Sequence, residues 1–292
     1  DPAEHVRWYQ ELGANVIQTF CVSYNGYAWY PSEVAPVNPG LKQPDWLGRM
    51  VELGHKAGMM VLGYFCLGAN PYWEKMNPGL VHHDDPRNIE IPQTLEYIDY
   101  FCRSVEDLLR KVNVDGFMID WIRPTRHRLW IDCEKEMYRQ LLGEKFPASG
   151  RPSDEAIFRF DRLAMERAWQ HIRWVVRATR PAIVWTNHPF LKEEIPLWTG
   201  QPLLKEVDWL LNESPEIELV DWLRSEIGPN TLIVQNLCGW QGHDANVWKK
   251  LDPKTTGFYG YAKADAETTF PSKKNEGNIK NIEILREAYH KL

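Results

Sequence analysis

Residues 114–121 read VDGFMIDW, a short apolar run that ends in an acidic and an aromatic side chain. Six further runs of this kind lie along the chain and predict strands. They occupy residues 14–22, 59–67, 182–187, 207–212, 231–238 and 256–262. Most of them are apolar throughout, which is typical of parallel strands that are covered on both faces.

Segments with helical periodicity separate these runs. One of them carries Leu47, Met50, Val51 and Gly54 on a single face and ends at Gly58, a residue type that suits a left-handed helix end. Alternation of strands and helices predicts an α/β fold, specifically a (β/α)8 TIM-type barrel. Because no repeat or linker divides the sequence, we expect residues 1–292 to form a single barrel domain.

The chain opens with DPAE, which is typical of a helix start. Asp1 suits the cap, Pro2 suits the first helical position and Glu4 can reach back towards the cap. A (β/α)8 barrel begins on a strand rather than on a helix. We therefore expect the first strand to precede this chain or to be missing from it, with the opening helix packed beside the resulting gap.

Composition narrows the classes of partner. The 292 residues carry a net charge of −6 from interspersed acids and bases, which argues against nucleic acid and anionic membranes as partners. No apolar run reaches the roughly 18 residues that predict a membrane-spanning helix. The five cysteines lack metal-site spacing and predict reduced thiols. We expect a soluble protein, either cytoplasmic or exported with its signal removed, of an oligomeric state that the sequence leaves open.

Two acidic residues at strand ends are candidate catalytic groups, because chemistry in such barrels sits at the carboxyl ends of the strands. Asp120 closes the run at 114–121, where a buried and unpaired carboxylate would be costly, so we expect it at the open mouth. An ion pair with Arg123 is the alternative. Glu213 follows the run at 207–212, and a solvated loop acid is the alternative there.

Aromatic and polar side chains near the same strand ends are candidate substrate contacts. The chain has 14 Trp and 12 Tyr, more than a core needs, and flat rings suit the faces of sugars. The candidates are Asn25, Tyr27, Trp29, Trp73, Trp121, Arg123, Trp185, Asn187, His188, Asn236 and Trp240. Core packing is the alternative for the aromatic residues, and a structural role is the alternative for His188. We expect the aromatic candidates, Asn187 and His188 to converge on one cleft.

Metal and cofactor chemistry have little support in the sequence. His82 and His83 stand beside Asp84 and Asp85, but a solvated loop explains this segment better than a cation site, because the spacing differs from that of known metal sites. Lys263 near a strand end leaves Schiff-base chemistry open. No glycine-rich phosphate loop supports a cofactor, so we expect none. Because the spacing of the potential ligands is wrong, we also expect no tightly bound metal.

Several stretches together resemble a known group of proteins. They are DPAEHVRWYQELGANVIQTFCVSYNGYAWYPS at 1–32, DWLGRMVELGHKAGMMVLGYF at 45–65, VDGFMIDW at 114–121 and DCEKEMYRQLLGEKFP at 132–147. They are similar to bacterial barrel proteins classed as hypothetical glycosyl hydrolases, which in turn resemble the retaining α-L-fucosidases. The resemblance implies a glycoside hydrolase with a carbohydrate substrate and no cofactor.

The fucosidase pattern implies roles for the two acids. Its nucleophile is the Asp that ends the fourth barrel strand, a place that Asp120 takes here. The acid/base is a Glu whose location varies among those enzymes, and Glu213 is the candidate. Fucosidases carry a His-His-Asp-Gly or His-His-Gly segment after the second strand, where this chain has Tyr24-Asn25-Gly26-Tyr27. The resemblance therefore does not identify the sugar.

These observations predict an α-L-fucosidase-like glycoside hydrolase that acts on an unidentified sugar by a retaining two-carboxylate mechanism. The alternatives are an inverting glycosidase that pairs Asp120 with another acid, a non-catalytic carbohydrate-binding barrel, and a metal-dependent hydrolase. Retaining enzymes hold their two carboxyl groups roughly 5 to 5.5 Å apart, whereas inverting enzymes need about 6.5 to 9.5 Å. The distance between Asp120 and Glu213 therefore distinguishes the first two mechanisms.

Overall fold

The computed structural model describes residues 1–82, 90–125, 128–187, 192–214, 218–238, 247–260 and 276–291. Within these ranges, seven strands form one curled sheet in which every pair of neighbours is parallel and the order follows the chain. The strands are β1 (Val16–Gln18), β2 (Met60–Cys66), β3 (Gly116–Asp120), β4 (Ile183–Asn187), β5 (Trp209–Asn212), β6 (Leu232–Cys238) and β7 (Thr256–Gly260). The predicted α/β barrel fold and all seven predicted strands are confirmed.

Helices alternate with the strands. Those of the described part are α1 (Pro2–Leu12), α2 (Trp46–Lys56), α3 (Pro71–Met76), α4 (Leu95–Lys111), α5 (Asp132–Leu142), α6 (Asp154–Thr179), α7 (Ile195–Trp198), α8 (Pro202–Glu206), α9 (Glu218–Glu226) and α10 (Glu276–Lys291). The predicted apolar face of α2 is buried, and Gly58 beyond its end has a φ of +74°. Of the described helices, none has the length and apolar character needed to cross a membrane.

The two faces of the strands enter two different apolar regions, because successive side chains of a strand point to opposite sides. Val61, Phe117, Val184, Leu210 and Ile233 point outward and pack in the layer between sheet and helices. Inward-facing side chains fill the barrel interior instead: Leu62, Met118, Trp185, Leu211 and Val234. This alternation decides which residues near the strand ends face the barrel mouth.

The opening helix lies beside the open side of the sheet. Asp1 caps α1 by accepting a hydrogen bond from the backbone N–H of Ala3 at 2.9 Å, as the sequence predicts. The helix packs against α2 on one side and α10 on the other, with Leu12 in a cluster that includes Leu285 and Ala288. In the described part of the chain, no strand connects β7 to β1. The position of an additional first barrel strand stays a prediction.

Two carboxylates accept backbone hydrogen bonds at the amino-terminal edge of the sheet. The dipeptide Val-Asp precedes both β3 and β5, and in each case the carboxylate accepts a hydrogen bond from a neighbouring strand. Asp115 Oδ2 lies 2.7 Å from the backbone nitrogen of Val61, and Asp208 Oδ2 lies 2.8 Å from that of Val184. These acids stabilise the end of the barrel opposite to the mouth.

Candidate active site

The polar side chains at the mouth continue the inward-facing rows of the barrel interior. Two residues after the inward-facing Leu62, Met118, Trp185, Leu211 and Val234 come Tyr64, Asp120, Asn187, Glu213 and Asn236. Residues two apart on a strand share a face, so the same register that fills the interior points these side chains into the mouth. The strand-end positions of Asp120 and Glu213 therefore bring both candidate acids to one place.

Three donors hold the carboxylate of Asp120. The hydroxyl of Tyr64 donates to Oδ2 at 2.6 Å. The backbone N–H of Trp121 donates to Oδ1 at 3.0 Å, and Nδ2 of Asn187 donates to the same oxygen at 2.7 Å. A carboxylate that accepts several hydrogen bonds is fixed in orientation and stabilised as an anion.

Asn187 also contacts Glu213 and thereby joins the two acids. Its Nδ2 donates to Glu213 Oε2 at 2.9 Å as well as to Asp120 Oδ1 at 2.7 Å. Because one nitrogen binds both oxygens, these oxygens cannot be more than about 5.6 Å apart, the two distances placed end to end. Asn187 and Glu213 are both buried, each with a relative exposure of 6%.

Burial raises the pKa of Asp120 to about 6, and the charge of Glu213 adds to the rise. The hydrogen bonds from Tyr64 and the Trp121 N–H, together with the charge of Arg123, oppose it. Asp120 is consequently an anion at neutral pH and takes up a proton as the pH falls through 6. Burial, reinforced by the charge of Asp120, raises the pKa of Tyr64 far above its ordinary value, so its hydroxyl remains a donor.

A buried amide network fixes the backbone that carries Glu213. Asn212 donates to Gln235 Oε1 at 2.7 Å and accepts from the N–H of Ser214 at 3.2 Å. Gln235 in turn donates to the carbonyl of Ser214 at 3.0 Å. The residues on both sides of Glu213 are therefore tied to β6, which limits the positions that its carboxylate can take.

Tyr64 and Phe20 belong to this site although the sequence patterns did not single them out. Phe20 lies two residues beyond Gln18, on the inward row of β1, and its ring meets that of Tyr64 edge to face at 5.5 Å. With 38% of its surface exposed, Phe20 leaves part of its ring open to solvent. The signal for both residues was available in the two-residue periodicity, because each falls on the same row as the mouth residues.

Two of the predicted aromatic contacts lie in the core instead of a cleft. Trp73 is buried against Tyr97 and Tyr100, with ring centroids 5.4 and 4.8 Å apart. Trp185 is buried inside the barrel between Trp209 and Tyr259. The expectation that these two indoles line the cleft is corrected, because α3 carries Trp73 back to the core and Trp185 lies two residues below the mouth.

The other predicted contacts after β1 form a turn beside the mouth. Asn25 Oδ1 accepts from the hydroxyl of Ser23 at 2.6 Å and from the N–H of Tyr27 at 3.3 Å, so it shapes the turn. Tyr27 packs on Tyr72 at 5.8 Å and is partly exposed. Trp29 is half-buried against Phe20 and the helix–sheet core.

The remaining predicted contacts divide between the site and its surroundings. Asn236 is buried on the inward row of β6. Arg123 stacks on Trp121 and forms an ion pair with Glu90 Oε1 at 3.0 Å. Its ion-pair partner is therefore Glu90, whereas the sequence alternative was Asp120. His188 and Trp240 fall outside the described residues, as do Lys263 and His83. Within the described ranges, no group of three or more potential metal ligands occurs.

Comparison with known proteins gives a family match for part of the chain and a fold match for all of it. Residues 1–121 match the model of the family described as hypothetical glycosyl hydrolase 6. No curated protein matches the chain. Among solved structures, the α-L-fucosidase isoenzyme 2 from Paenibacillus thiaminolyticus is similar over 100% of this chain and 46% of its own, at 16% identity and a TM-score of 0.65.

Two further structures extend this picture. The PgaB (BpsB) glycoside hydrolase domain from Bordetella bronchiseptica matches 99% of this chain and 92% of its own, at 14% identity and a TM-score of 0.61. The α-fucosidase of Thermotoga maritima in complex with fucose matches 99% and 55%, at 12% identity and a TM-score of 0.53. The chain thus spans about half the length of both fucosidases, and identities this low show a shared fold. The resemblance read from the sequence is confirmed: residues 1–121, which end just after Asp120, are similar to the hypothetical glycosyl hydrolase 6 family.

Proposed function

We propose that this chain is a glycoside hydrolase that retains anomeric configuration, with Asp120 as nucleophile and Glu213 as general acid/base. The shared contact of Asn187 carries the proposal. The two hydrogens of an amide group diverge by about 120°, which puts the two bound oxygens about 4.9 Å apart and always within about 5.6 Å. This oxygen-to-oxygen spacing is closer to the roughly 5 to 5.5 Å between the carboxyl groups of retaining enzymes than to the about 6.5 to 9.5 Å of inverting ones.

Asp120 is suited to attack because its charge and orientation are set before substrate arrives. Tyr64 and the Trp121 N–H hold the carboxylate in place. Since the pKa of Asp120 is about 6, the group is mostly ionised at neutral pH and yet remains basic enough to form a bond. Attack on the anomeric carbon forms an ester between that carbon and Asp120 as the glycosidic C–O bond breaks.

Glu213 completes both half-reactions. It delivers its proton to the leaving oxygen in the first step, so the departing group leaves as a neutral alcohol. In the second step its carboxylate takes a proton from water, whose oxygen attacks the anomeric carbon and releases Asp120. Both steps balance without a cofactor. Asn187, which donates to both acids, holds their carboxylates close together.

Phe20 supplies an apolar surface next to the acids. Its ring packs on the ring of Tyr64, and the hydroxyl of Tyr64 donates to the carboxylate of Asp120. The C–H face of a pyranose packs well on such a ring. We assign Phe20 to the wall that holds the sugar next to Asp120. The names of the similar structures support a carbohydrate substrate, with α-L-fucosides as the first to try.

Turnover of a panel of 4-nitrophenyl glycosides tests the function, with α-L-fucoside, α- and β-D-galactoside, α- and β-D-glucoside and β-N-acetylglucosaminide as members. On a cleaved member, Asp120→Asn and Glu213→Gln should each lose at least about a hundredfold in kcat. Asp115→Asn is the matched control, since it changes a carboxylate at the opposite end of β3 and should keep the activity. Near wild-type turnover by either active-site variant would refute the assignment.

Azide separates the two roles. An azide ion is small enough to replace a missing carboxylate in a cavity and then attack the anomeric carbon. Rescue of Glu213→Ala should yield the glycosyl azide of retained configuration, and rescue of Asp120→Gly should yield the inverted one. The reverse pattern would exchange the two roles.

A further inference from the structure

We propose that Trp121 positions the nucleophile through its backbone N–H, and that Gly68, Arg123 and Glu90 hold Trp121 in its left-handed conformation. The inference rests on the proposed role of Asp120, which Trp121 follows directly. Four separate features of the described residues support it: a rare backbone angle, a hydrogen bond, a missing side chain and a stacked ion pair. Together they change the expected role of Trp121 and Arg123 from substrate contacts to positioning residues.

The backbone angle at Trp121 is unusual for its residue type. Its φ is +58°, and among the described residues only one other non-glycine residue, Trp130, has a positive φ. A side chain with a Cβ is strained in this region, and bulky residues occur there rarely. Such strain persists only where surrounding structure enforces it, and it is concentrated at functional sites.

The backbone N–H of Trp121 contacts the carboxylate of Asp120. The chain pairs with β2 as far as Asp120, whose carbonyl accepts from the N–H of Leu67 at 2.9 Å, and turns away at the next residue. At this point the N–H of Trp121 donates to Asp120 Oδ1 at 3.0 Å. With Asn187 on the same oxygen and Tyr64 on the other, this N–H fixes the rotation of the carboxylate.

Gly68 makes room for the strained residue. A Cβ added at Gly68 would lie 2.7 Å from the Cβ of Trp121 and 3.3 Å from its carbonyl oxygen. Real Cβ atoms are not found this close to other carbon atoms, so any side chain at position 68 would displace Trp121. The carbonyl of Gly68 is itself fixed, because it accepts from the N–H of Ile91 at 2.8 Å.

Arg123 holds the indole from the other direction. Its guanidinium lies 4.6 Å from the centroid of the Trp121 ring and pairs with Glu90 Oε1 at 3.0 Å. Both charged side chains are largely buried, at 15% and 10% exposure. Gln93 donates to the backbone carbonyl of Arg123 at 2.9 Å, so the segment before α4 fastens the stack. Flat guanidinium on indole is a contact that lysine cannot reproduce.

Gly68→Ala tests the proposal without changing any charge. The titratable groups that face Asp120 all remain: Tyr64, Cys66, Arg123, Glu213 and Tyr259. If the added methyl displaces Trp121, the carboxylate loses one donor and its pKa rises. The measurement is the titration midpoint of Asp120. Urea unfolding between pH 4 and 9 gives the free energy of unfolding of each protein and of its Asp120→Asn counterpart, and the pH dependence of their difference gives the midpoint. We expect an upward shift of about one pH unit.

Two further variants make the result specific. Gly54→Ala is the matched control, because its methyl would meet Val61 in the helix–sheet layer, so it should lower stability and leave the Asp120 midpoint unchanged. Trp121→Gly combined with Gly68→Ala is the rescue: glycine accepts a φ of +58° and has no Cβ to collide, so the midpoint should return towards that of the wild type.

The outcomes separate this proposal from the proposed function. If Gly68→Ala unfolds, Arg123→Lys keeps the charge but loses the flat stack and should shift the midpoint in the same direction. An unchanged Asp120 midpoint in a folded Gly68→Ala or Arg123→Lys protein would overturn the positioning role of Trp121. The readout is unfolding rather than turnover, so it does not depend on activity. A shifted midpoint together with a wild type that cleaves no glycoside would therefore refute the proposed function and leave the positioning role of Trp121 intact.

Discussion

Asp120→Asn should change the pH dependence of stability in a calculable way. Burial and Glu213 raise the pKa of Asp120 to about 6 in the folded chain, whereas an unfolded Asp titrates near 3.9. Between these values the unfolded chain loses its proton and the folded chain keeps it. The wild type therefore loses stability relative to the variant as the pH rises, by about 3 kcal/mol for a shift of roughly two pKa units.

The sign follows from the raised pKa. The contribution of Asp120 to stability is greatest below pH 4, declines between pH 4 and 6 and is constant above about 7. An asparagine at this position does not titrate, so its effects on packing and hydrogen bonding add an offset that is the same at every pH. The change in the difference with pH reports on Asp120 together with its electrostatic coupling to Glu213.

Urea unfolding of both proteins at half-unit steps from pH 3.5 to 8.5 measures this difference. We expect the free energy of unfolding of Asp120→Asn minus that of the wild type to rise by about 3 kcal/mol across the window and then level off. A flat difference would show that Asp120 titrates alike in both states. A difference that falls with rising pH would show a lowered pKa and would refute the conclusion that burial outweighs hydrogen bonding at Asp120.

Three further expectations concern single side chains. Tyr64→Phe removes the 2.6 Å hydrogen bond to Asp120 and should raise the midpoint of its titration by about one to two units, whereas an unchanged midpoint would deny that bond its role. Phe20→Ala should raise KM for a cleaved glycoside roughly threefold to tenfold. Phe158→Ala is the control, because Phe158 is equally exposed at 38% but lies on α6, and its KM should not change. Equal KM values for the two variants would show that Phe20 does not contact the sugar. Asp115→Ala should destabilise the fold by about 1 to 3 kcal/mol in urea and leave the Asp120 midpoint in place, and a shifted midpoint would contradict the separation of the two barrel ends.

The sequence predicts the strands well because their local signal and their tertiary setting agree. Parallel strands that are covered on both faces consist of apolar runs, and each run in this chain became a strand of the sheet. The placement of Asp120 and Glu213 followed from topology, because the carboxyl ends of parallel strands meet at one mouth. Their common partner Asn187 also lies at a strand end, and the sequence named it only as a sugar contact.

Errors arose where a side chain's direction depends on more than its position after a strand. Trp73 follows β2, but Asn70 caps α3, and the helix carries the indole into the core. Tyr64 lies inside an apolar strand and reads as a core residue, although its hydroxyl donates to Asp120. The left-handed turn at Trp121 leaves no sign in the residue types, because nothing in the local pattern requires a positive φ there.

The anomeric configuration of the first-formed product tests the central claim most directly. Proton NMR of a cleaved glycoside, recorded before mutarotation, distinguishes retention from inversion. Because Asn187 holds oxygens of Asp120 and Glu213 within about 5.6 Å, we predict retention. A product of inverted configuration would contradict this account, since it would require water rather than Asp120 to attack the anomeric carbon.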